Sequence, residues 1–138
     1  MNLMQRVRII PRKRLGDERG ALLKVMKGDE PELPGSFGEI YVVWAKDGKS
    51  RGGHYHPKTA EWFTLLEGKC RLVVMDPQDG ERGEITLSEA EPVTVYMPAG
   101  VAHRFDSIDG PWSLLAYAAN PYDPTDTLMF DCGESDRG

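Results

Sequence analysis

The chain has few of the residues that mark several common classes of protein. Only two of its 138 residues are cysteine, Cys70 and Cys132, and they lie far apart, so a disulfide framework is not expected. No apolar run approaches the roughly 20 residues that span a bilayer, and the first residues lack the apolar stretch of a signal peptide. We therefore expect a cytoplasmic protein with no membrane partner.

Positive charge is also scarce and scattered. Lysine and arginine number 17 against 22 aspartates and glutamates, for a net charge of −5, and the one basic run, residues 12–14, is typical of a solvated face. A nucleic-acid partner is therefore not expected. The length and the 40% hydrophobic content suit one core, so residues 1–138 are predicted to form a single domain.

The spacing of turn residues predicts the fold class. Fifteen glycines and ten prolines separate short apolar runs, a pattern typical of an all-β sandwich or barrel. No stretch keeps helical periodicity over three turns, so few or no helices are expected. The polar residues 132–138 are expected to fray. The predicted strands cover residues 6–10, 21–27, 38–45, 61–66, 70–75, 84–87, 92–96, 103–106 and 113–118.

All three histidines of the chain belong to one pattern with a carboxylate. His54 and His56 are two residues apart, so on a strand they point to the same side. Pro57 ends or bends that strand, and the returning chain brings Glu61 to face the pair. His103 begins a later strand. Three imidazoles and a carboxylate suit one divalent transition metal ion, and the ligands fit zinc, nickel, manganese or iron alike.

Three further side chains near this pattern are candidates for substrate chemistry. Tyr41 is a possible general acid, although a strand tyrosine is as often structural. Arg51 and Lys58 flank the histidines and could hold a phosphate group, or could be ordinary surface charges.

The motif spacing resembles the two motifs of the cupin superfamily. The resemblance covers residues 48–107 and implies a double-stranded β-helix, or jelly roll. Two positions depart from the usual second motif, which opens with glycine and closes with asparagine. Here Pro92 and Ser107 stand in those places, and neither is a ligand position. The matching residues are Gly48, His54, His56, Glu61 and Gly68, then Pro98, Gly100 and His103.

Three more segments resemble the nucleotide-sugar cupins similar to dTDP-4-dehydrorhamnose 3,5-epimerase. They are Asp-Glu-Arg-Gly at 17–20, Arg-Gly-Gly-His at 51–54 and Tyr-Asp-Pro at 122–124. The resemblance implies that Arg19 contacts the substrate diphosphate, together with Arg51 and Lys58, and that His54 is the catalytic base. A histidine nitrogen that binds metal cannot also take a proton, so His54 is either a ligand or a free base at that atom.

The same resemblance implies a catalytic tyrosine on the last strand of the barrel. The nearest candidate, Tyr117, is one residue out of register, and such a shift turns a strand side chain to the other face. Tyr41 and Tyr122 are therefore rival candidates for the general acid.

Two subgroups resemble the chain more closely. Sugar 3,4-ketoisomerases carry Arg-Gly-Gly-His-x-His-Lys, close to residues 51–58, but generally lack the glutamate. The metal-containing cupin domain of capsular-polysaccharide epimerase/reductases carries Gly-x-His-x-His with a following glutamate. The resemblance implies an isomerase, either an epimerase or a ketoisomerase, that acts on a nucleotide-linked 4-keto sugar in polysaccharide or deoxysugar biosynthesis.

Two other functions stay open. One is a different metal-dependent cupin enzyme, such as a dioxygenase or a lyase, and the other is a non-catalytic sugar-binding cupin. The resemblance also implies a homodimer. Because exposed strand edges need cover, we expect residues 1–10 to add as a strand to a neighbouring subunit.

Overall fold

The computed structural model describes residues 1–134 and consists mostly of antiparallel strands. Its helices are α1 (Leu3–Arg6) and one 3₁₀ turn (Pro124–Asp126), and no helix among these residues is long and apolar enough to cross a membrane. The strands are β1 (Arg8–Pro11), β2 (Arg14–Asp17), β3 (Gly20–Leu23), β4 (Glu39–Ala45), β5 (Arg51–Tyr55), β6 (Glu61–Glu67), β7 (Lys69–Met75), β8 (Arg82–Ser88), β9 (Val93–Met97), β10 (Ala102–Ser107), β11 (Trp112–Ala118) and β12 (Leu128–Met129).

Two five-stranded sheets form the body of the protein. Their strand orders are β1-β9-β6-β11-β4 and β12-β5-β10-β7-β8, and β2 and β3 form a separate two-stranded sheet. Consecutive strands repeatedly change sheets, as β4 to β5 and β9 to β10 do. This is the connectivity of a jelly roll, so the predicted all-β class with few helices is confirmed.

Alternation along the strands places the core between the two sheets. Phe63 and Leu65 of β6, Leu72 of β7, Phe105 of β10 and Leu114 of β11 all belong to one buried cluster. Their positions follow the period of two that the pleat imposes. The same inward faces carry the histidines and Glu61 near one end of this cluster, so the site is an extension of the core.

The N-terminal residues differ from the prediction. Residues 3–6 form a short helix because Asn2 and Gln5 make a reciprocal capping box, a device that satisfies the free amides of a first turn. Strand β1 then pairs with β9 of its own chain, with Ile9 opposite Val95. Strand β1 is thus an edge of a sheet of its own chain, and the addition of this segment to a neighbouring subunit stays a prediction.

The strand predicted for residues 21–27 is shorter in the structure. Residues 20–23 pair with β2, which the sequence analysis missed, and the two strands form a hairpin with Gly16 opposite Ala21. In this hairpin about half of the surface of Leu15 and of Leu22 is exposed to solvent, 51% and 52%. Its apolar side chains therefore lack the cover that a core would give.

The prediction that the C-terminal residues fray is wrong for the part the structure describes. Cys132 is fully buried and packs with Val73 and Ala102 on the outer face of the second sheet. Arg82 holds the backbone here, because its guanidinium donates to the carbonyl oxygens of Cys132 and Glu134. Residues 135–138 of the predicted frayed tail lie outside the described residues.

Candidate functional site

His54 and His103 face each other across two neighbouring strands. They are paired in the register of β5 and β10, and their ring centroids lie 5.1 Å apart. The register shifts directly after His103, and Gly52 makes this close approach possible. Its φ is +93°, and a Cβ there would lie 2.9 Å from the His103 carbonyl oxygen. An alanine would be strained at this φ and would also collide with that oxygen.

His56 and Glu61 complete the cluster from either side of a turn. His56 follows the last residue of β5, and Glu61 opens β6 in the opposite sheet. Oε1 of Glu61 lies 2.9 Å from Nε2 of His56 and 3.9 Å from Nε2 of His103. This oxygen is buried and lacks a hydrogen bond of good geometry within the described residues. A buried carboxylate oxygen of this kind is a strong candidate for a cation ligand.

The donor set fits a divalent metal ion. The ligand atoms of His54, His56 and His103 all lie within 4.8 Å of one another, while two ligands of a tetrahedral zinc ion are about 3.4 Å apart. Side-chain adjustments of about 1 Å would close that difference.

Two of the three histidines are also oriented as metal ligands usually are. Nδ1 of His56 lies 2.9 Å from the Asp126 carbonyl oxygen, and Nδ1 of His103 lies 3.1 Å from that of Val101. A proton on Nδ1 of each ring leaves Nε2 free to face the cluster.

Burial makes two of the three imidazoles neutral at physiological pH. It lowers the pKa of His103 to about 4, and the nearby His54 adds to this effect. Burial also lowers the pKa of His54, with a further contribution from His56. The pKa of His56 is instead raised, chiefly by the neighbouring Glu61 carboxylate. A neutral imidazole is the form that accepts a proton or binds a metal.

Glu61 and Tyr41 form a short hydrogen bond at the edge of the cluster. The Tyr41 hydroxyl donates to Oε2 of Glu61 at 2.5 Å. Burial, with the Glu61 charge next, raises the pKa of Tyr41 above its usual value. Burial would also raise the pKa of Glu61, but His56, His103 and Tyr41 together hold it below the usual value. The site thus contains an ionised carboxylate beside a protonated phenol.

These groups line one cavity of about 270 Å³. Tyr41, His54 and Glu61 contribute to a wall made by the barrel strands, and residues 118–127 make the opposite wall. Tyr122 lies in that second wall and is 71% exposed. Of the three candidate acids, Tyr41 and Tyr122 therefore reach the cavity.

Tyr117 lies on the other face of its strand. Ala118 is opposite Glu61 in the register of β11 and β6, whereas Tyr117 is opposite Trp62. Its ring packs 5.7 Å from Trp62 and 5.6 Å from Phe37, and its hydroxyl accepts a bond from the Gly38 amide at 3.2 Å. The one-residue shift noted in the sequence has the consequence that the pleat dictates.

The three candidate phosphate-binding residues take different positions. Arg51 is close enough to influence the Tyr41 hydroxyl, and Lys58 lies near the Asp123 carboxylate at the cavity wall. Arg19 lies next to the tip of the β2–β3 hairpin, where its exposed side chain pairs with Asp17 at 2.7 Å. It lines a separate cavity formed by the hairpin itself.

Asp126 is a site residue that sequence reasoning missed. It is 7% exposed, and its carboxylate accepts bonds from the Lys58 amide at 2.8 Å and the Thr59 hydroxyl at 2.6 Å. Its carbonyl oxygen meets His56. A backbone carbonyl has no residue-specific signature, so no pattern in the sequence identified this contact.

The jelly roll, with its histidines converging from strand ends, has the arrangement that the resemblance to the nucleotide-sugar cupins implies. The chain belongs to the polysaccharide biosynthesis C-terminal domain family, whose model matches residues 15–128.

Two characterised relatives are similar over most of their lengths. The TDP-4-oxo-6-deoxy-alpha-D-glucose-3,4-oxoisomerase of Aneurinibacillus thermoaerophilus is 28% identical over 122 residues, which cover 88% of this chain and 84% of the relative. The spore coat polysaccharide biosynthesis protein SpsL of Bacillus subtilis strain 168 is 26% identical, with 78% and 75% covered.

Solved structures share the fold at lower identity. A dTDP sugar isomerase from Desulfovibrio desulfuricans G20 superposes with a TM-score of 0.81 and 19% identity, covering 89% of this chain and 82% of its own. The dTDP-6-deoxy-D-glucose-3,5-epimerase of Legionella pneumophila, in complex with dTDP-4-keto-L-rhamnose, superposes with a TM-score of 0.82 and 22% identity, covering 93% and 74%.

Proposed function

We propose that this protein is an isomerase that acts on a nucleotide-linked 4-keto sugar. It removes a proton from the carbon next to the carbonyl group and returns one to the resulting enolate. Return to the opposite face of that carbon gives an epimer. Return to the former carbonyl carbon gives a ketoisomer, in which the hydroxyl of the deprotonated carbon has lost its proton to become the new carbonyl and the former carbonyl oxygen has gained one. The names of the relatives support this substrate class, and their lengths match that of this chain.

The observation that carries the proposal is the convergence of a neutral histidine, a protonated tyrosine and an ionised carboxylate in one cavity. A cavity of about 270 Å³ lies below the range of about 300–1,000 Å³ that holds a drug-sized ligand. It suits a single sugar ring, with the nucleotide outside. Proton transfer beside a carbonyl needs a base and an acid on the same ring, and this cavity supplies both.

His54 is the proposed base. It is half-buried and lines the cavity, and its lowered pKa keeps it neutral near pH 7. A neutral imidazole with a free nitrogen can take the proton from the sugar carbon.

Tyr41 is the proposed acid, because its raised pKa keeps the phenol protonated. Glu61 holds its hydroxyl in place. Tyr122 is the alternative in the same cavity, whereas Tyr117 faces away from it.

We also propose that His54, His56, His103 and Glu61 hold one divalent metal ion. Three convergent imidazoles and a buried carboxylate oxygen support this. Such an ion, when bound, supplies Lewis acidity at the carbonyl oxygen of the substrate. A neutral imidazole has one unprotonated nitrogen. If His54 uses this nitrogen to bind the ion, another group must take the proton from the sugar carbon. The metal-bound and metal-free forms therefore assign His54 different roles.

Arg51 and Lys58 are proposed to bind the diphosphate at the mouth of the cavity. Arg51, Lys58 and Arg19 all lie outside the lining of the cavity itself. Arg19 is at the tip of the separate β2–β3 hairpin, so we propose that it serves this role only from the hairpin of a neighbouring chain. A homodimer is supported by the exposed apolar residues of the hairpin and by β4, an edge strand that exposes Ile40 by 53% and Trp44 by 75%. Sedimentation at micromolar concentration tests it, and a monomer would contradict it.

The proposed chemistry can be tested by incubating dTDP- and UDP-linked 4-keto sugars in heavy water. Deuterium should enter at C3 or C5, because the enolate forms reversibly. His54→Asn should abolish this exchange whether His54 is base or ligand. The position of the carbonyl in the product distinguishes ketoisomerase from epimerase. No exchange in any sugar of this class would contradict the proposal.

A matched pair of variants tests the acid. Tyr41→Phe should lower kcat by about 100-fold or more, the usual contribution of a positioned general acid. Tyr117→Phe removes the same kind of hydroxyl, but from the face of β11 that points away from the cavity. It should leave kcat within about twofold of the wild-type value. Equal losses in the two variants would rule out Tyr41 as the acid.

A further inference from the structure

The C-terminal residues 126–134, which we call the strap, run behind His54 of β5 and behind His56, which directly follows that strand. Nδ1 of His56 donates to the Asp126 carbonyl oxygen at 2.9 Å. Met129 of β12 is opposite His54 in the strand register. The Phe130 amide then donates to the Gly53 carbonyl oxygen at 2.9 Å. One continuous segment thus contacts Gly53, His54 and His56.

The strap is anchored far from the cavity. Cys132 is buried on the outer face of the second sheet, and the Phe130 ring lies 6.0 Å from that of Tyr55. Nε of Arg82 donates to the Cys132 carbonyl oxygen at 3.0 Å, and Nη2 donates to that of Glu134. Bonds from a guanidinium are stronger than those between neutral groups. The anchor is therefore a charged side chain on β8, three strands away from β5 in the sheet.

The His56 ring depends on this strap because it lies beyond the end of β5. The strand ends at Tyr55, and after it the His56 carbonyl oxygen accepts a bond from the Gly100 amide at 2.8 Å, which holds the backbone but not the direction of the ring. The Asp126 carboxylate holds the following turn through the Lys58 amide and the Thr59 hydroxyl. The Asp126 carbonyl then keeps a proton on Nδ1, and Nε2 must face the cavity.

We propose that the strap is a positioning element: Asp126 sets the ring orientation and tautomer of His56, β12 sets the position of His54, and Arg82 keeps both in place. The strap touches the two histidines from behind, so it acts through them and not on the substrate. Its kinetic consequence rests on the function proposed above, but its effect on His56 can be measured without any substrate.

The test compares Arg82→Gln with Arg71→Gln. Both arginines pair with Glu84 on the outer face of the sheet, Arg82 at 2.9 Å and Arg71 at 3.8 Å. Both variants lose one charge and one ion pair, but only Arg82→Gln loses the guanidinium bonds to the Cys132 and Glu134 carbonyls. Amide exchange of Phe130 and the ¹⁵N spectrum of the His56 ring are recorded on chelator-treated protein, with the pH raised until the ring spectrum no longer changes and the imidazole is therefore neutral.

In Arg82→Gln, the Phe130 amide should exchange at least about tenfold faster, since local opening is limited by the anchor. The His56 ring should change from one Nδ1–H tautomer to a mixture. On a substrate that the wild type converts, kcat should fall at least about fivefold with KM within about twofold, the pattern of lost alignment. Arg71→Gln should match the wild type in all three.

Two results would overturn the proposal. Faster Phe130 exchange with an unchanged His56 tautomer would show that the strap does not position the ring. Unchanged Phe130 exchange would show that Arg82 is not the anchor. A wild type that converts no 4-keto sugar would instead contradict the proposed function, while exchange and tautomer would still decide the role of the strap.

Discussion

His103 should make the stability of the metal-free protein depend on pH in a way that a single substitution removes. Burial lowers its pKa from the ordinary 6.5 to about 4, so between these values the unfolded chain binds a proton that the folded chain does not. Stability therefore falls as the pH falls through this window. The contribution is complete above pH 6.5 and declines toward pH 4.

The two pKa values give the size of the effect. Between pH 7.5 and pH 5.0 the wild type should lose about 2 kcal/mol of unfolding free energy through His103. At pH 5.0 the Glu61 carboxylate stays largely ionised, because its pKa lies below the ordinary 4.5. His56 has a raised pKa with the opposite sign, but it is present in both proteins compared, so it cancels to first order.

The measurement is urea unfolding of the wild type and His103→Gln, both with chelator, at several pH values from 7.5 to 5.0. The difference in unfolding free energy between the two proteins should change by about 2 kcal/mol over this range, in favour of the variant at low pH. Parallel curves would mean that the folded protein protonates His103 as readily as the unfolded chain does. The burial argument for its neutral state would then be wrong.

Four other measurements have expected outcomes. Gly52→Ala should lower the free energy of unfolding by about 2 kcal/mol or more, since it adds a collision with the His103 carbonyl to the strain of a positive φ. The control Gly48→Ala has a φ of +75° but open space around its Cβ, so it should cost about 1 kcal/mol. Equal losses in thermal unfolding would mean that the collision is relieved. Metal analysis should find about one divalent ion per chain, and a wild type that retains none after loading and dialysis would contradict the metal proposal. Removing the metal should stop deuterium exchange if the ion is the Lewis acid, and exchange that persists would favour His54 as a free base. Arg51→Gln should raise KM with kcat nearly unchanged, because a diphosphate contact binds ground and transition states alike; a fall in kcat alone would refute that role.

The spacing of the histidines was a sound guide to the site. His54 and His56 are two apart before a proline, and Glu61 opens the returning strand, so the period of the pleat is enough to make them converge. The one-residue displacement of Tyr117 was also visible in the sequence. In these cases the side chain lies on a regular strand or, for His56, directly after one.

Other features of the structure have no signal in the sequence. The contact of Asp126 with His56 uses a backbone carbonyl, and the carbonyl oxygen of the buried Cys132 accepts a bond from Arg82, fifty residues earlier in the chain. The polar composition of residues 132–138 indicated fraying because propensity describes a segment in isolation. The hairpin partner of β3 was missed because Arg14–Asp17 is exposed throughout and Leu15 is its one large apolar residue, so there is no apolar alternation to reveal it.

The cavity has two walls of different construction, and this divides what mutation can change. Tyr41, His54 and Glu61 stand on paired strands, where a one-residue insertion would turn every following side chain to the wrong face. In the opposite wall, residues 119–125 are mostly irregular backbone at the protein surface, which tolerates insertion and substitution, whereas Asp126 is buried and contacts His56. Related proteins with the same barrel wall can therefore differ in the loop wall, and so in the sugar that they bind, while the residues of the proton chemistry stay the same.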